Sequence, residues 1–368
     1  MKVVLLAGAN SIHTKQWANK LFSLGIEVHI ISLHSPITGI DKGVYLHQLP
    51  FKGVLGYFAS VPKVKKLLAD IKPDLVNAHY ASGYATTARL VNYHPWLLSV
   101  WGSDVYQFPY KSPVHKWLVK SNLYAADSVA STSHCMAAQT KVIAPKLGEI
   151  TITPFGVDIN SFSQHASAVS DNSAIVVGTV KSMSHIYGID LLIKSFALVR
   201  NKLLLNNANT ANRLLLRIVG GGPQLNELKQ LAIDEGIGEV TTFVGKVDHK
   251  EVPIELAKLD IFVALSREES FGVAVIEAGA AGKPAVVSNI GGLPEVIEDG
   301  ITGFVVPPED PQAASLIIEQ LVSNTDLRNK IGYAAHEYIK NNFDWRICLN
   351  KMKDTYSKVI QIHGEKSD

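Results

Sequence analysis

Short runs of apolar, largely β-branched residues recur along the whole chain, each next to a segment whose apolar positions have helical spacing. This alternation limits the fold more than any other feature. It begins with Val3 to Leu6, a helix through Trp17 and Leu21, and Val28 to Ile31, a βαβ opening. Runs at Leu75 to Ala78, Leu97 to Val100, Ser128 to Ala130 and Ile150 to Thr153 continue it. Strands joined through helices run parallel, and a parallel sheet needs helices on both faces. Past Ser161 to Ser173, a Ser-rich stretch read as a loop, the pattern restarts. Its runs are Ile175 to Val180, Leu214 to Val219, Val240 to Val244, Ile261 to Leu265, Ala285 to Ser288 and Phe304 to Val306. Helical periodicity then holds from Pro311 to Asn341 and from Trp345 to Ile362. The expectation is two doubly wound α/β domains, 1–165 and 166–343, with 344–368 a last helix placed to cross back to the first; 368 residues suit that plan.

Composition narrows the setting. With 47% apolar and 18% charged residues and no low-complexity tract, the chain is globular. Met1 to Gly8 reads as a strand entered directly, without a secretory leader, and no apolar run is long enough to span a bilayer, so a cytoplasmic place is expected. Cys135 and Cys348 lack metal-ligand spacing and are expected as buried thiols. The net charge of +2 hides a split: residues 1–165 hold 15 Lys and Arg against 8 Asp and Glu, hence +7, and the rest 20 against 25, hence −5. A basic first half facing an anionic surface follows, with Lys63, Lys65 and Lys66 in one helical stretch. Lys111, Lys116 and Lys120, interleaved with Phe108, Tyr110 and Trp117, add the composition of a headgroup interface. A peripheral place on the inner face of the cell membrane is therefore expected, and no nucleic-acid partner.

Ligands of open parallel sheets bind beyond the carboxyl ends of the strands, so two such domains facing each other make a central cleft. After Ile261 to Leu265 comes Ser266-Arg267-Glu268-Glu269-Ser270-Phe271-Gly272, then an apolar helix from Val273 to Ala281 that carries Glu277. Amides around Phe271, Gly272 and Val273, at the positive end of that helix, suit a diphosphate. Glu269 and Glu277 are acceptors suited to vicinal hydroxyls. A lone carboxylate in so apolar a helix is costly to bury without a partner, which favours a ligand for Glu277; Glu269 serves equally as a helix-start acid.

The two glutamates eight positions apart, with Phe271-Gly272 after the first and Ala278 after the second, resemble the signature of the family 4 glycosyltransferases, retaining enzymes of the GT-B fold. Thr153-Pro154-Phe155-Gly156-Val157-Asp158 with Phe162 is similar to that family's interdomain segment, and Val219-Gly220-Gly221-Gly222-Pro223 to its glycine turn. Gly291-Gly292-Leu293-Pro294-Glu295 through Gly300, Gly303 and Phe304 resembles its downstream block. Ser11-Ile12-His13-Thr14 and Gly102-Ser103-Asp104 match more loosely. The resemblance implies a nucleotide diphosphate sugar as substrate, a UDP-sugar first, and a glycan or polyprenyl-linked acceptor, as in cell-surface polysaccharide assembly. It implies that Glu277 holds the ribose and Glu269 a sugar hydroxyl. Ser270, Phe271, Gly272 and Val273 meet sugar and diphosphate, and Gly245-Lys246-Val247 meets the base, with Val247 and Gly8 counted among the donor contacts.

Three positions depart from the family pattern. Thr179 and Tyr187 stand where the family places its cationic phosphate clamp, and Trp101 where many relatives have a histidine. Lys181, after the same strand, is the candidate substitute, with His185 second. No two aspartates are separated by one residue, so no metal and no other cofactor is expected, the leaving charge falling to Lys181 and the helix amides. No carboxylate nucleophile is identified, and front-face displacement needs no protein base. His13, His79 and Asp104 are the polar candidates on the acceptor side, each equally able to be structural. Two rival readings are a nucleotide-sugar epimerase, which needs an acid and a base about the sugar, and a two-lobed sugar-binding protein, which the absent leader disfavours. A dinucleotide oxidoreductase is weaker, since the Gly220 to Gly222 turn lacks the later glycine of the pyrophosphate fingerprint.

Overall fold

The computed structural model of the protein describes residues 1–166 and 174–367. The chain divides into two compact units, Met1–Pro154 with Cys348–Asp368, and Phe155–Ile347. The expected boundaries lay at 165 and 343. They shift because the start of the Ser-rich stretch is no loop: Ile159–Ala166 is a helix that packs on Val252–Ala257 of the second unit, with Phe162 only 3% exposed. Residues 167–173 of that stretch lie outside the described residues.

The first unit holds one parallel sheet. Its strands are β1 (Lys2–Leu6), β2 (Glu27–Ser32), β3 (Tyr45–Gln48), β4 (Leu75–His79), β5 (Trp96–Val100), β6 (Ser128–Ser131) and β7 (Ile150–Ile152), in the order β3-β2-β1-β4-β5-β6-β7. The second unit holds β8 (Ile175–Val180), β9 (Leu214–Val219), β10 (Thr241–Gly245), β11 (Ile261–Ala264), β12 (Ala285–Ser288) and β13 (Gly303–Val306), also parallel, in the order β10-β9-β8-β11-β12-β13. Both are Rossmann-like, each with a switch point, β1 beside β4 and β8 beside β11, where the connections change direction. Central strands such as β4, β5, β11 and β12 are buried at every position, which is why they read as nearly continuous apolar runs. Strand β3 was not expected. It is an edge strand of mixed sequence, exposed or half-exposed throughout, and carries no apolar signal.

Caps set the helix ends. Ser11, Ser112 and Ser133 accept from the amides of Thr14, His115 and Met136 at the starts of helices 12–23, 113–125 and 134–143. The periodicity from Pro311 to Asn341 is two helices, Pro311–Ser323 and Thr325–Asn342. Asn324 turns extended between them and its side chain accepts from Leu327 N at 2.9 Å. Of the two cysteines expected to be buried, Cys348 is and Cys135 is half-buried. Among the described residues no helix is long and apolar enough to cross a membrane.

The terminal helix, Trp345–Ser367, leaves the second unit after Ile347 and joins the first. Tyr356, 1% exposed, accepts from Asn77 Nδ2 of β4 at 2.9 Å, and Asn77 Oδ1 accepts from Ser99 of β5 at 3.0 Å. A polar tie thus crosses an otherwise apolar layer, and burial raises the phenol's pKa above its ordinary value. Tyr356→Phe leaves a buried amide donor unpaired and is expected to lower stability by about 1–2 kcal/mol. Tyr356→Ala should cost about 3–5 kcal/mol, as truncation of large core aromatics does. Urea denaturation checks both; losses below about 0.5 kcal/mol would show that the helix does not depend on this tie.

Candidate active site

The second unit gathers its polar side chains at the carboxyl ends of β8 and β11, the two strands that flank its switch point. Lys181 is the first residue after β8, and Glu269 sits in the loop after β11. Their side chains meet: Lys181 Nζ donates to Glu269 Oε2 at 2.5 Å, with 14% and 12% of the two side chains exposed. The Lys181 ammonium also lies 4.5 Å from the centre of the Tyr187 ring, a cation–π contact. The sequence reading singled out all three positions and did not foresee that they touch.

Backbone contacts fix the two loops. Lys181 N donates to Val219 O at 2.9 Å and Met183 N to Gly221 O at 3.0 Å. Gly220 has φ +142°, and a Cβ there would stand 1.9 Å from Lys181 O, so the glycine run lets this chain segment lie against the lysine loop. On the other side, Gly292 N donates to Glu269 O at 3.0 Å. Gly291, at φ +54°, would place a Cβ 1.8 Å from that same oxygen. Arg267, which sequence alone did not mark, fastens the β11 loop to the β8 loop. Its guanidinium donates to both oxygens of Asp190 at 2.8 Å and to His185 O at 2.8 Å, and reaches Glu309 at 2.6 Å. Arg267 N and Glu268 N both donate to Ile186 O.

The helix Val273–Ala280 starts beside Glu269. Gly272 is its left-handed N-cap, at φ 106°, and no side chain caps the first-turn amides. Phe271, 3% exposed, is wedged edge-on between Phe155 and Phe343 at 6.0 and 5.8 Å, so its side chain is core and only its backbone can serve a ligand. Ser270 and Val273 flank it, both half-buried. Glu277 is 12% exposed and accepts from His249 Nε2 at 3.2 Å. His249, after β10, was missed, because a lone histidine in a charged loop carries no signal. Val247 is half-buried in that loop. His185 is exposed, and what it gives the site is its carbonyl. Lys181, Glu269, Ser270, Gly272 and Val273 therefore come together, while the His185 side chain is not tied to them.

The remaining candidates belong to the first unit. Gly8 is buried just after β1. His13 meets the edge of Trp101 at 6.1 Å, and Trp101 packs on His79 at 4.1 Å and on Tyr80 at 5.3 Å. His79 is 2% exposed with Nδ1 lacking a hydrogen-bond partner, and burial drives its pKa down to about 3, so the ring stays neutral. Asp104 is 1% exposed, and its carboxylate accepts from the amides of Ala81 at 2.7 Å, Gly102 at 2.9 Å and Trp101 at 3.2 Å. Burial raises its pKa, and those amides partly offset the rise. With its oxygens so occupied, Asp104 braces the loops after β4 and β5. That is the structural one of the two roles the sequence left open for Asp104.

The chain is similar to known proteins. The family model described as "Glycosyl transferases group 1" matches residues 160–338, and "Glycosyl transferase 4-like" matches residues 2–133. N-acetyl-alpha-D-glucosaminyl L-malate synthase of Bacillus anthracis is 23% identical over 96% of this chain and 95% of its own. Among solved structures, sucrose-phosphate synthase from Thermosynechococcus elongatus superposes with a TM-score of 0.83 at 19% identity, over 98% of this chain and 100% of that one. HepE of Anabaena, solved with UDP and glucose, gives 0.77 at 19% identity over 97% and 99%. At such identities the structural likeness concerns the fold.

The two close backbone approaches make a local prediction. Gly291→Ala forces a left-handed L-residue, worth about 1–2 kcal/mol, on top of the clash with Glu269 O. The expected result is a lower melting temperature together with a transferase rate reduced at least tenfold, because the loop bearing Glu269 must move. Full activity in thermally destabilised Gly291→Ala would detach the loop position from the chemistry.

Proposed function

Because the chain belongs to the group 1, family 4-like glycosyltransferases and has the Rossmann-like sheets of the GT-B fold, we propose that it is a retaining transferase of a hexose or N-acetylhexosamine. The donor is a nucleotide diphosphate sugar, a UDP-sugar first, and the acceptor is a glycan or polyprenyl-linked molecule in cell-surface polysaccharide assembly. The observation that carries this reading is the Lys181–Glu269 pair at the switch point of the second sheet, beside a helix start whose amides no side chain caps. A cation and free N–H groups converge where a diphosphate fits, and a carboxylate stands next to them where a sugar hydroxyl fits. The bound UDP and glucose of HepE support the choice of donor by likeness of fold.

Each residue has a role in this reading. Glu277, eight residues further along, accepts from the ribose hydroxyls, with His249 holding its carboxylate in the free protein. Glu269 accepts from a sugar hydroxyl and keeps Lys181 turned toward the diphosphate. In the chemical step the bond from the anomeric carbon to the phosphate oxygen breaks and its electron pair stays on the phosphate. The acceptor oxygen bonds to the same face of the sugar and gives its proton to the departing phosphate oxygen. Lys181 and the helix amides stabilise the charge that develops there, so no metal ion is required.

This reading is tested with purified protein and UDP-sugars. Glu277→Ala should lose both nucleotide binding and transfer. Glu269→Gln should keep affinity for UDP and lose turnover, and Lys181→Ala should lose about 2–4 kcal/mol of transition-state stabilisation. Excess chelator should leave the rate unchanged. Activity that vanishes with chelator and returns with magnesium or manganese defeats the role given to Lys181.

The acceptor brings a second partner, an anionic membrane surface met by the first unit. Trp117, Tyr110 and Val114 are 61%, 55% and 70% exposed on and beside the helix Pro113–Ala125. Lys111, Lys116 and Lys120 lie 5.7, 6.0 and 5.9 Å from the rings of Phe108, Tyr110 and Tyr124. Of the three expected aromatics, Phe108 packs on the core, and Tyr110 and Trp117 face outward. Val54 and Leu55, 77% and 79% exposed, add apolar area on Gly53–Ala59, and Lys63, Lys65 and Lys66 are exposed on the next helix. At about 1 kcal/mol per basic residue near an anionic surface, half of these six lysines suffice for reversible attachment. Sedimentation with liposomes should rise with anionic lipid, fall with salt, and be lost when Lys111, Lys116 and Lys120 become glutamate. Indifference to all three would make the acceptor a molecule free in solution.

A further inference from the structure

The helix Val273–Ala280 buries Ala274, Val275, Ile276 and Ala278, and Glu277, with 12% of its side chain exposed, is the one ionisable residue on it. Among the described residues the only side chain its carboxylate pairs with is that of His249, through Oε1 at 3.2 Å. A carboxylate only accepts, so His249 carries a proton on Nε2. Oε2 has no side-chain partner among the described residues. With 43% of its side chain exposed, His249 is the outer member of the pair.

The chain fixes His249 from both sides. Before it, β10 ends at Gly245, at φ +87°, whose carbonyl accepts from Gly220 N of the glycine turn at 2.9 Å. The turn His249–Glu251 is then closed by a capping box, in which the Asp248 side chain accepts from the Glu251 amide and Glu251 Oε2 accepts from Asp248 N at 3.1 Å. The helix Val252–Ala257 follows at once, with Pro253 in its first turn and Val252, Pro253 and Leu256 buried. A histidine has fewer side-chain torsions than a glutamate, so the anchored ring restrains the longer side chain rather than the reverse.

We propose that His249 is the positioning residue of the ribose subsite: it holds Glu277 by Oε1 so that Oε2 accepts from a ribose hydroxyl, and it thereby sets the preference for ribose over a sugar without those hydroxyls. The inference rests on the donor reading given above and adds the residue that makes Glu277 selective. An acceptor already held in one direction gains a hydrogen bond without the cost of ordering its side chain, which is how preorganisation strengthens binding. Without the ring, Glu277 turns among its rotamers and toward water, and a hydroxyl must order it on binding. A histidine that merely competed with the ligand for the carboxylate would have the opposite effect, since its removal would tighten binding.

The experiment is isothermal titration calorimetry of the full chain with UDP and with dideoxy-UDP, which lacks both ribose hydroxyls. The wild type should prefer UDP by about tenfold or more, the size of one hydrogen bond to a charged acceptor. His249→Ala should lose most of that preference by weakening UDP alone, with an unchanged melting temperature because the ring is 43% exposed. His249→Gln, which offers an amide N–H in place of the ring N–H, should restore it. A full preference in His249→Ala, tighter UDP binding in that variant, or a loss in His249→Gln as deep as in His249→Ala overturns the positioning role, and the donor reading then stands as long as Glu277→Ala still loses UDP. A wild type that does not bind UDP, or Glu277→Ala binding it as tightly, overturns the donor reading and this inference with it.

Discussion

The site depends on one ion pair, Lys181 with Glu269, which spans the switch point between β8 and β11. Stability alone does not explain it. Desolvating both groups offsets most of their attraction, and apolar replacements of buried pairs are often neutral or better. Removing one partner is another matter, costing about 3–5 kcal/mol for fully buried pairs and less at the 12–14% exposure found here. Such a pair tolerates no drift, since each charge needs the other. On the proposed function, that is the property a donor site requires: a cation held ready for a leaving group that arrives with the substrate. The glycines that back each loop, and Arg267 that ties one to the other, serve the same geometry. They let three stretches of main chain approach at distances a side chain forbids.

Much of this architecture was legible in the sequence because parallel strands buried on both faces leave apolar runs. The limits of β8, β9 and β12 coincide with those runs. Strand β3 was invisible for the complementary reason, being an edge strand whose residues face solvent. The unit boundary was misplaced because Ser and Asn in Ile159–Ala166 mask a helix that Phe162 anchors by packing. Glu269 and Glu277 were found from their spacing and their apolar setting. Their pairings were not, since Lys181 is 88 positions from Glu269 and His249 is 28 from Glu277, and side-chain pairing at that separation leaves no local pattern.

Asp104 shows two roles that spacing does not separate. A carboxylate just past a strand in a two-sheet protein reads as chemistry, and here it is held by three amides with 1% exposure. Sequence cannot separate the two cases, because both require a carboxylate at the end of a strand. Hydrogen bonding separates them. An aspartate whose oxygens already accept from the main chain has little left for a substrate, whereas Glu269 accepts from Lys181 through Oε2 alone.

The departures at Thr179 and Tyr187 now have a physical sense. Thr179 is fully buried within β8, its hydroxyl without a hydrogen-bond partner, so a cation there would be enclosed in the core. Lys181 stands past the end of the strand, in the loop that faces Glu269. A second ammonium at 187 would repel the first, and the aromatic ring found there, its centre 4.5 Å from Lys181 Nζ, attracts it instead. Tyr187 and Lys181 thus favour each other in this chain. Glu269 supplies the negative charge that keeps Lys181 at the carboxyl end of the switch point.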